Sequence, residues 1–104
     1  MTVALEDPTQ TESPAYSGLA RVLDLNGMLL DVGKGWFWVT DPEVGSWRGS
    51  IRVFRGSCLE PRSLTCLIEI ADGRRFRAQV GPKLADVPGD LVDVKVVGID
   101  PARF

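Results

Sequence analysis

The side chains of this chain best suited to chemistry are aromatic and cationic. Trp36, Phe37, Trp38 and Trp47 are four of its eight aromatics and fall within twelve residues. If Trp36, Trp38 and Trp47 share one face, they form a stacking platform for bases or an anchor for a partner chain. The competing expectation is that they fill a core and leave at most one indole exposed. Arg52, Arg75 and Arg77, with Arg48, Arg55 and Arg74 nearby, form a second set able to follow a phosphate backbone. Glu69 falls inside that set, and outward arginines also protect strand edges. A protein-contacting or solvated face is therefore the favoured reading.

Residues that would support catalysis are missing. The chain has no histidine, which removes the commonest general base and metal ligand. No motif sets Lys34, Lys83 or Lys95 beside a serine. Asp86, Asp90 and Asp93 stand near tight turns or on outward strand positions, where carboxylates are ordinarily solvated. The glycines occur at turns with no helix behind them, so no phosphate-binding loop is expected. Cys58 and Cys66 lack zinc-site spacing, and Cys66 falls on an inward strand position as a small apolar group. We therefore expect no enzyme activity, no cofactor and no metal.

Charge is unevenly distributed. Residues 1–47 carry seven acids and two bases, residues 48–83 three acids and eight bases, and residues 84–104 four acids and two bases, for a net charge of −2. A basic block between two acidic ones suits self-association. It gives little long-range attraction for nucleic acid. There is no basic start followed by an apolar run, and nothing approaches the ~20 apolar residues of a membrane span, so a cytoplasmic protein with no membrane contact is expected.

The elements that must position these residues are strands. Arg21–Leu25 runs into Asn26-Gly27 and returns as Met28–Val32, which predicts a two-residue type I′ turn. That turn pairs Leu25 with Met28 and Leu23 with Leu30, and collects Leu23, Leu25, Met28, Leu30 and Val32 on one face. A second hairpin joins Leu64–Ile70 to Arg74–Val80. Here a two-residue Asp-Gly loop would mix core and surface, because a one-residue slip inverts a strand's faces. A three-residue loop with Gly73 left-handed instead pairs Ile68 with Phe76, Cys66 with Ala78, Leu64 with Val80, Glu69 with Arg75 and Leu67 with Arg77.

Between the hairpins, Trp36–Val39 reads as a strand covered on both faces. Trp47–Arg55 alternates, with Trp47, Gly49, Ile51 and Val53 on one side; Gly49 marks a bulge or a close backbone approach. Ser57–Glu60 matches a capping box cut short by Pro61. Gly81-Pro82 ends a strand, Lys83–Val87 is a short crossover, and Leu91–Ile99 closes the domain.

The expected fold is all-β: a small closed or partly open barrel, OB-like or SH3-like, of six to seven antiparallel strands. Residues 19–104 form the barrel. Residues 1–18, rich in Pro, Thr and Ser, read as a flexible arm. Ile68, Phe76, Cys66, Ala78, Val92 and Val94 should be buried together while Arg75 and Arg77 stay partly exposed.

Residues 49–100 carry one resemblance. Gly49-Ser50-Ile51-Arg52-Val53, then Leu67–Gly81 with its Ala71-Asp72-Gly73 turn, then Pro88-Gly89-Asp90 before the valine-rich Leu91–Val96, resemble the oligonucleotide-binding barrel of bacterial translation initiation factor one and S1-type domains. The chain departs from that pattern after Phe104, where the family would supply a fifth strand, and in its strands before Gly49. The resemblance implies single-stranded nucleic acid as a partner. The residues themselves favour a non-catalytic module that binds protein, a second copy included; the alternatives are the nucleic-acid reading and a small-ligand pocket at the barrel mouth near Trp36 and Trp38.

Overall fold

The computed structural model describes residues 13–102 and 104, and in it the inward positions of six strands account for nearly all of the core. The strands are β1 (Tyr16–Leu23), β2 (Leu29–Asp41), β3 (Ser46–Phe54), β4 (Leu64–Ile70), β5 (Arg75–Val87) and β6 (Leu91–Gly98). All pairings are antiparallel, in the closed order β1-β2-β3-β6-β5-β4. The ring is shut by β4 against β1, with Ala20 opposite Ile70 and Leu23 opposite Leu67. Closure leaves no edge strand along the full barrel.

Alternation sends Ile51 and Val53 of β3, Cys66, Ile68 and Ile70 of β4, Phe76, Ala78 and Val80 of β5, and Val92, Val94 and Val96 of β6 inward. The second hairpin keeps the expected register throughout, from Glu69 opposite Arg75 to Leu64 opposite Val80. Gly73 has φ +93°, and its N–H donates to the Ile70 carbonyl at 2.9 Å, closing the three-residue loop that the face parity demands.

The first hairpin departs from expectation. Its loop is also three residues long: the Gly27 N–H donates to the Asp24 carbonyl at 2.9 Å and the Asp24 N–H to the Met28 carbonyl at 2.8 Å. The cause is the Asp24 carboxylate, whose Oδ1 accepts the Asn26 and Met28 N–H groups, both at 2.9 Å. That side-chain turn competes with the type I′ geometry favoured by Asn-Gly. Leu23 then lies opposite Leu29, Val22 opposite Asp31, and Leu30 is left over as a bulge. The core takes Ala20, Val22 and Leu23, whereas Leu25, Met28, Leu30 and Val32 are exposed.

Three boundaries also move. The strands expected at 28–32 and 36–39 are one continuous β2, which makes six strands. Gly81-Pro82 does not end a strand and Lys83–Val87 is no crossover: β5 runs to Val87 beside β6, absorbing Pro82, which has no N–H to donate, in register shifts after Val80 and Lys83. Tyr16 to Gly18, read as arm, belong to β1; the arm as far as residue 12 lies outside the described residues.

Two residues outside the strands complete the core. Leu59, in the loop after β3, is fully buried at one barrel end. Phe104 packs among Tyr16, Phe37, Trp47 and Phe76, with ring centroids 5.1–6.1 Å apart.

Candidate interaction surfaces

Strand parity separates the three tryptophans. On β2 the odd position Phe37 is buried, so Trp36 and Trp38 stand half-buried on the outer wall. On β3 the odd positions also face inward, so Trp47 is buried, its indole N–H donating to the Asp100 carbonyl at 2.8 Å. A single three-indole platform therefore does not form. Phe37 lies opposite Gly49, where a Cβ would come within 1.9 Å of the Trp36 carbonyl oxygen. Gly49 is thus a close backbone approach.

The arginines are also divided. Arg52 on β3 makes a bidentate pair with Asp93 of β6, Nε to Oδ1 at 2.9 Å and NH2 to Oδ2 at 3.1 Å. Its guanidinium lies 5.0 Å from the Trp36 ring centroid, and the Lys34 ammonium 5.1 Å from the same centroid. Arg75 on β5 bonds Glu69 at 2.9 Å, and Glu69 also holds Arg21 at 3.4 Å. Arg77 bonds Asp100 through Nε at 3.0 Å, NH2 at 2.9 Å and its backbone N–H at 2.9 Å. Those contacts, the Arg77 side chain foremost, hold the Asp100 carboxyl below its ordinary range. Arg55 bridges Asp86 at 2.6 Å and Asp90 at 3.2 Å, and Asp86 is likewise lowered, first by Arg55 and then by Lys83.

Arg52 and Arg77 stand on either side of β6 and far apart along it. Arg52 faces Asp93, whereas the Arg77 carbonyl accepts the Ile99 N–H, six residues or roughly 20 Å farther on. Arg52, Arg75 and Arg77 therefore form no single ladder, and each is closed by a carboxylate.

Sequence reasoning missed two other surfaces. The first lies at the barrel end where β1 passes to β2. There Leu25, Met28, Leu29, Leu30 and Val32 are exposed, Met28 by 68%, and so is Phe54 at the end of β3. The Ser57 hydroxyl donates to Asp31 at 2.6 Å, tying the loop after β3 to the start of β2. Five consecutive-strand apolar residues around a turn were a visible signal, but the type I′ register assigned them to a core. The second is the outer wall of β2, β3 and β6, where Lys34, Arg48 and Lys95 have no carboxylate partner among the described residues. Its signal was the even positions of β3 read together with the odd positions of β6.

Among the described residues no group of histidine, cysteine or carboxylate side chains is arranged to hold a metal ion. A shallow, open depression of about 330 Å³ is lined by Arg74, Arg75, Phe76, Asp100 and Pro101. It is not near Trp36 and Trp38, which stand on the wall and not at the mouth where a ligand pocket was expected. No helix among these residues is long and apolar enough to cross a membrane. Comparison with protein-family models, curated proteins and solved structures gives no match for this chain.

Proposed function

We propose that the chain is a non-catalytic β-barrel interaction module whose partner is protein, a second copy included. The observation that carries this reading is the apolar barrel end formed by Leu25, Met28, Leu29, Leu30, Val32 and Phe54. Exposed apolar side chains grouped in this way mark contact surfaces, whereas single ones need no explanation. The free thiols of Cys58 and Cys66 suit a reducing, cytoplasmic setting.

Single-stranded nucleic acid, which the resemblance of residues 49–100 implies, is the second reading. Its expected contacts Arg52, Arg75 and Arg77 already spend their donors on Asp93, Glu69 and Asp100. Counterion release from a phosphate backbone would have to compete with those pairs.

Two measurements on the full chain test the proposal. Sedimentation velocity over a concentration series should show reversible self-association that M28E/L29E abolishes. Fluorescence anisotropy with a labelled single strand should show no binding at moderate salt. A monomer at all concentrations that binds the strand tightly and salt-sensitively would overturn the protein-partner reading.

A further inference from the structure

The outer wall of β2, β3 and β6 carries charge that the barrel itself does not cancel. Its cross-strand rows are Lys34–Arg52–Asp93, Trp36–Ser50–Lys95 and Trp38–Arg48–Val97. Four cations and two indoles thus share a patch with one carboxylate, and that carboxylate is held by Arg52. With strands ~4.8 Å apart and alternate residues ~6.6 Å apart, Lys34, Arg48 and Lys95 lie within roughly 15 Å of one another. The contrast with the rest of the barrel is plain: Arg21, Arg52, Arg55, Arg74, Arg75 and Arg77 each have a carboxylate within 3.4 Å.

The chain holds a segment of complementary charge, and it joins the barrel beside this wall. Residues 1–12 contain Glu6, Asp7 and Glu12 and no lysine or arginine. They lead into Ser13, and the Ala15 N–H donates to the Phe37 carbonyl at 2.8 Å, so the chain enters alongside β2 next to Trp38. Twelve residues reach up to ~40 Å when extended, several times the width of the patch. Tethering of this kind raises the effective concentration into the ~mM range, so weak individual contacts suffice.

We propose that the acidic segment 1–12 docks in cis across the β2–β3–β6 wall. Its carboxylates lie against Lys34, Arg48 and Lys95, and Val3, Ala4 and Leu5 lie against the indole edges of Trp36 and Trp38. The wall is then an acidic-peptide site that the chain occupies itself. Lys34 and Arg52 already stack on Trp36, which disfavours a base on that ring and favours carboxylates around it. This proposal does not rest on the apolar barrel end, and its test involves none of those residues.

The test is a ¹H–¹⁵N correlation spectrum of the full chain, following the Trp36 and Trp38 indole N–H signals and the amides of 34–38, 48–52 and 93–97. At low salt the triple variant E6K/D7K/E12K should shift these signals and leave the β4–β5 amides in place. High salt should move the native chain to the same positions. Combining the triple variant with K34E/R48E/K95E should return the segment to the wall and restore contacts between residues 1–12 and the indoles. Because Glu6, Asp7 and Glu12 lie outside the barrel, the triple variant tests docking without threatening the fold. Indole signals unchanged in that variant would overturn the proposal. So would shifts that appear only as protein concentration rises with a dimer in sedimentation, which would assign the wall to a second copy. Equal affinity of a labelled dT strand for the native chain and the triple variant would also overturn it, because a docked segment must compete.

Discussion

Glycine substitutions separate two kinds of constraint at the residue scale. A Cβ on Gly73 meets nothing within 4 Å, so Gly73→Ala pays only for its positive φ, about 1 kcal/mol in a denaturant titration. On Gly49 the same atom strikes the backbone of β2, so Gly49→Ala should cost several times as much, on the order of 3 kcal/mol or more. Cys66 makes a sharper case. Burial pushes its thiol up to about 11, above the ordinary value of 9.0, while Cys58 is exposed. Between those two values the unfolded chain binds fewer protons than the native one, so stability present below pH 9 falls as pH rises toward 11, by on the order of 2 kcal/mol. Cys66→Ala should flatten that alkaline loss in pH-dependent unfolding curves, and a thiol reagent should label Cys58 alone in the native protein. The inward place of Cys66 was readable from strand alternation. The close approach at Gly49 was readable only as one of two options, because proximity across strands needs the register.

The two hairpins show how far local rules reach at the element scale. For β4–β5 the loop length followed from face parity, since only one register buries Phe76 opposite Ile68. For β1–β2 the Asn-Gly signal was real, but the Asp24 carboxylate two residues earlier satisfied two backbone N–H groups and selected the longer loop. Asp24→Ala should remove that competition and destabilise the hairpin modestly, by about 1 kcal/mol, with amide exchange quickening from Asp24 to Met28. The buried Leu59 was hidden for another reason: a capping-box pattern describes backbone bonds and says nothing about which loop side chain plugs the barrel. Although it lies in a loop, Leu59→Ala should cost about 2–4 kcal/mol in thermal or chemical unfolding, the range of a core leucine.

Closure of the barrel depends on the pairs most distant in sequence. Ala20 meets Ile70 and Arg48 meets Val97, so loop-closure entropy must be spent before the ring gains its last ladders. Folding should accordingly take milliseconds to seconds in stopped-flow experiments that follow Trp47 fluorescence; microsecond folding would contradict a closed antiparallel ring. The all-β class and the inward faces of the last three strands were legible in the sequence. The strand order, and the separation of Arg52 from Arg77 by β6, were not, because no local pattern encodes which strands become neighbours. The rings of Tyr16 and Phe104, 6.1 Å apart, give the ring arrangement a further consequence. The chain enters and leaves the barrel at one pole, while Met28, Leu29 and Phe54 crown the opposite pole. A cargo fused at either terminus, or a host protein into whose loop the barrel is spliced, would therefore sit behind the domain and leave its apolar crown facing outward. A permuted chain with those two ends joined and opened at Asp72-Gly73 should keep the same crown.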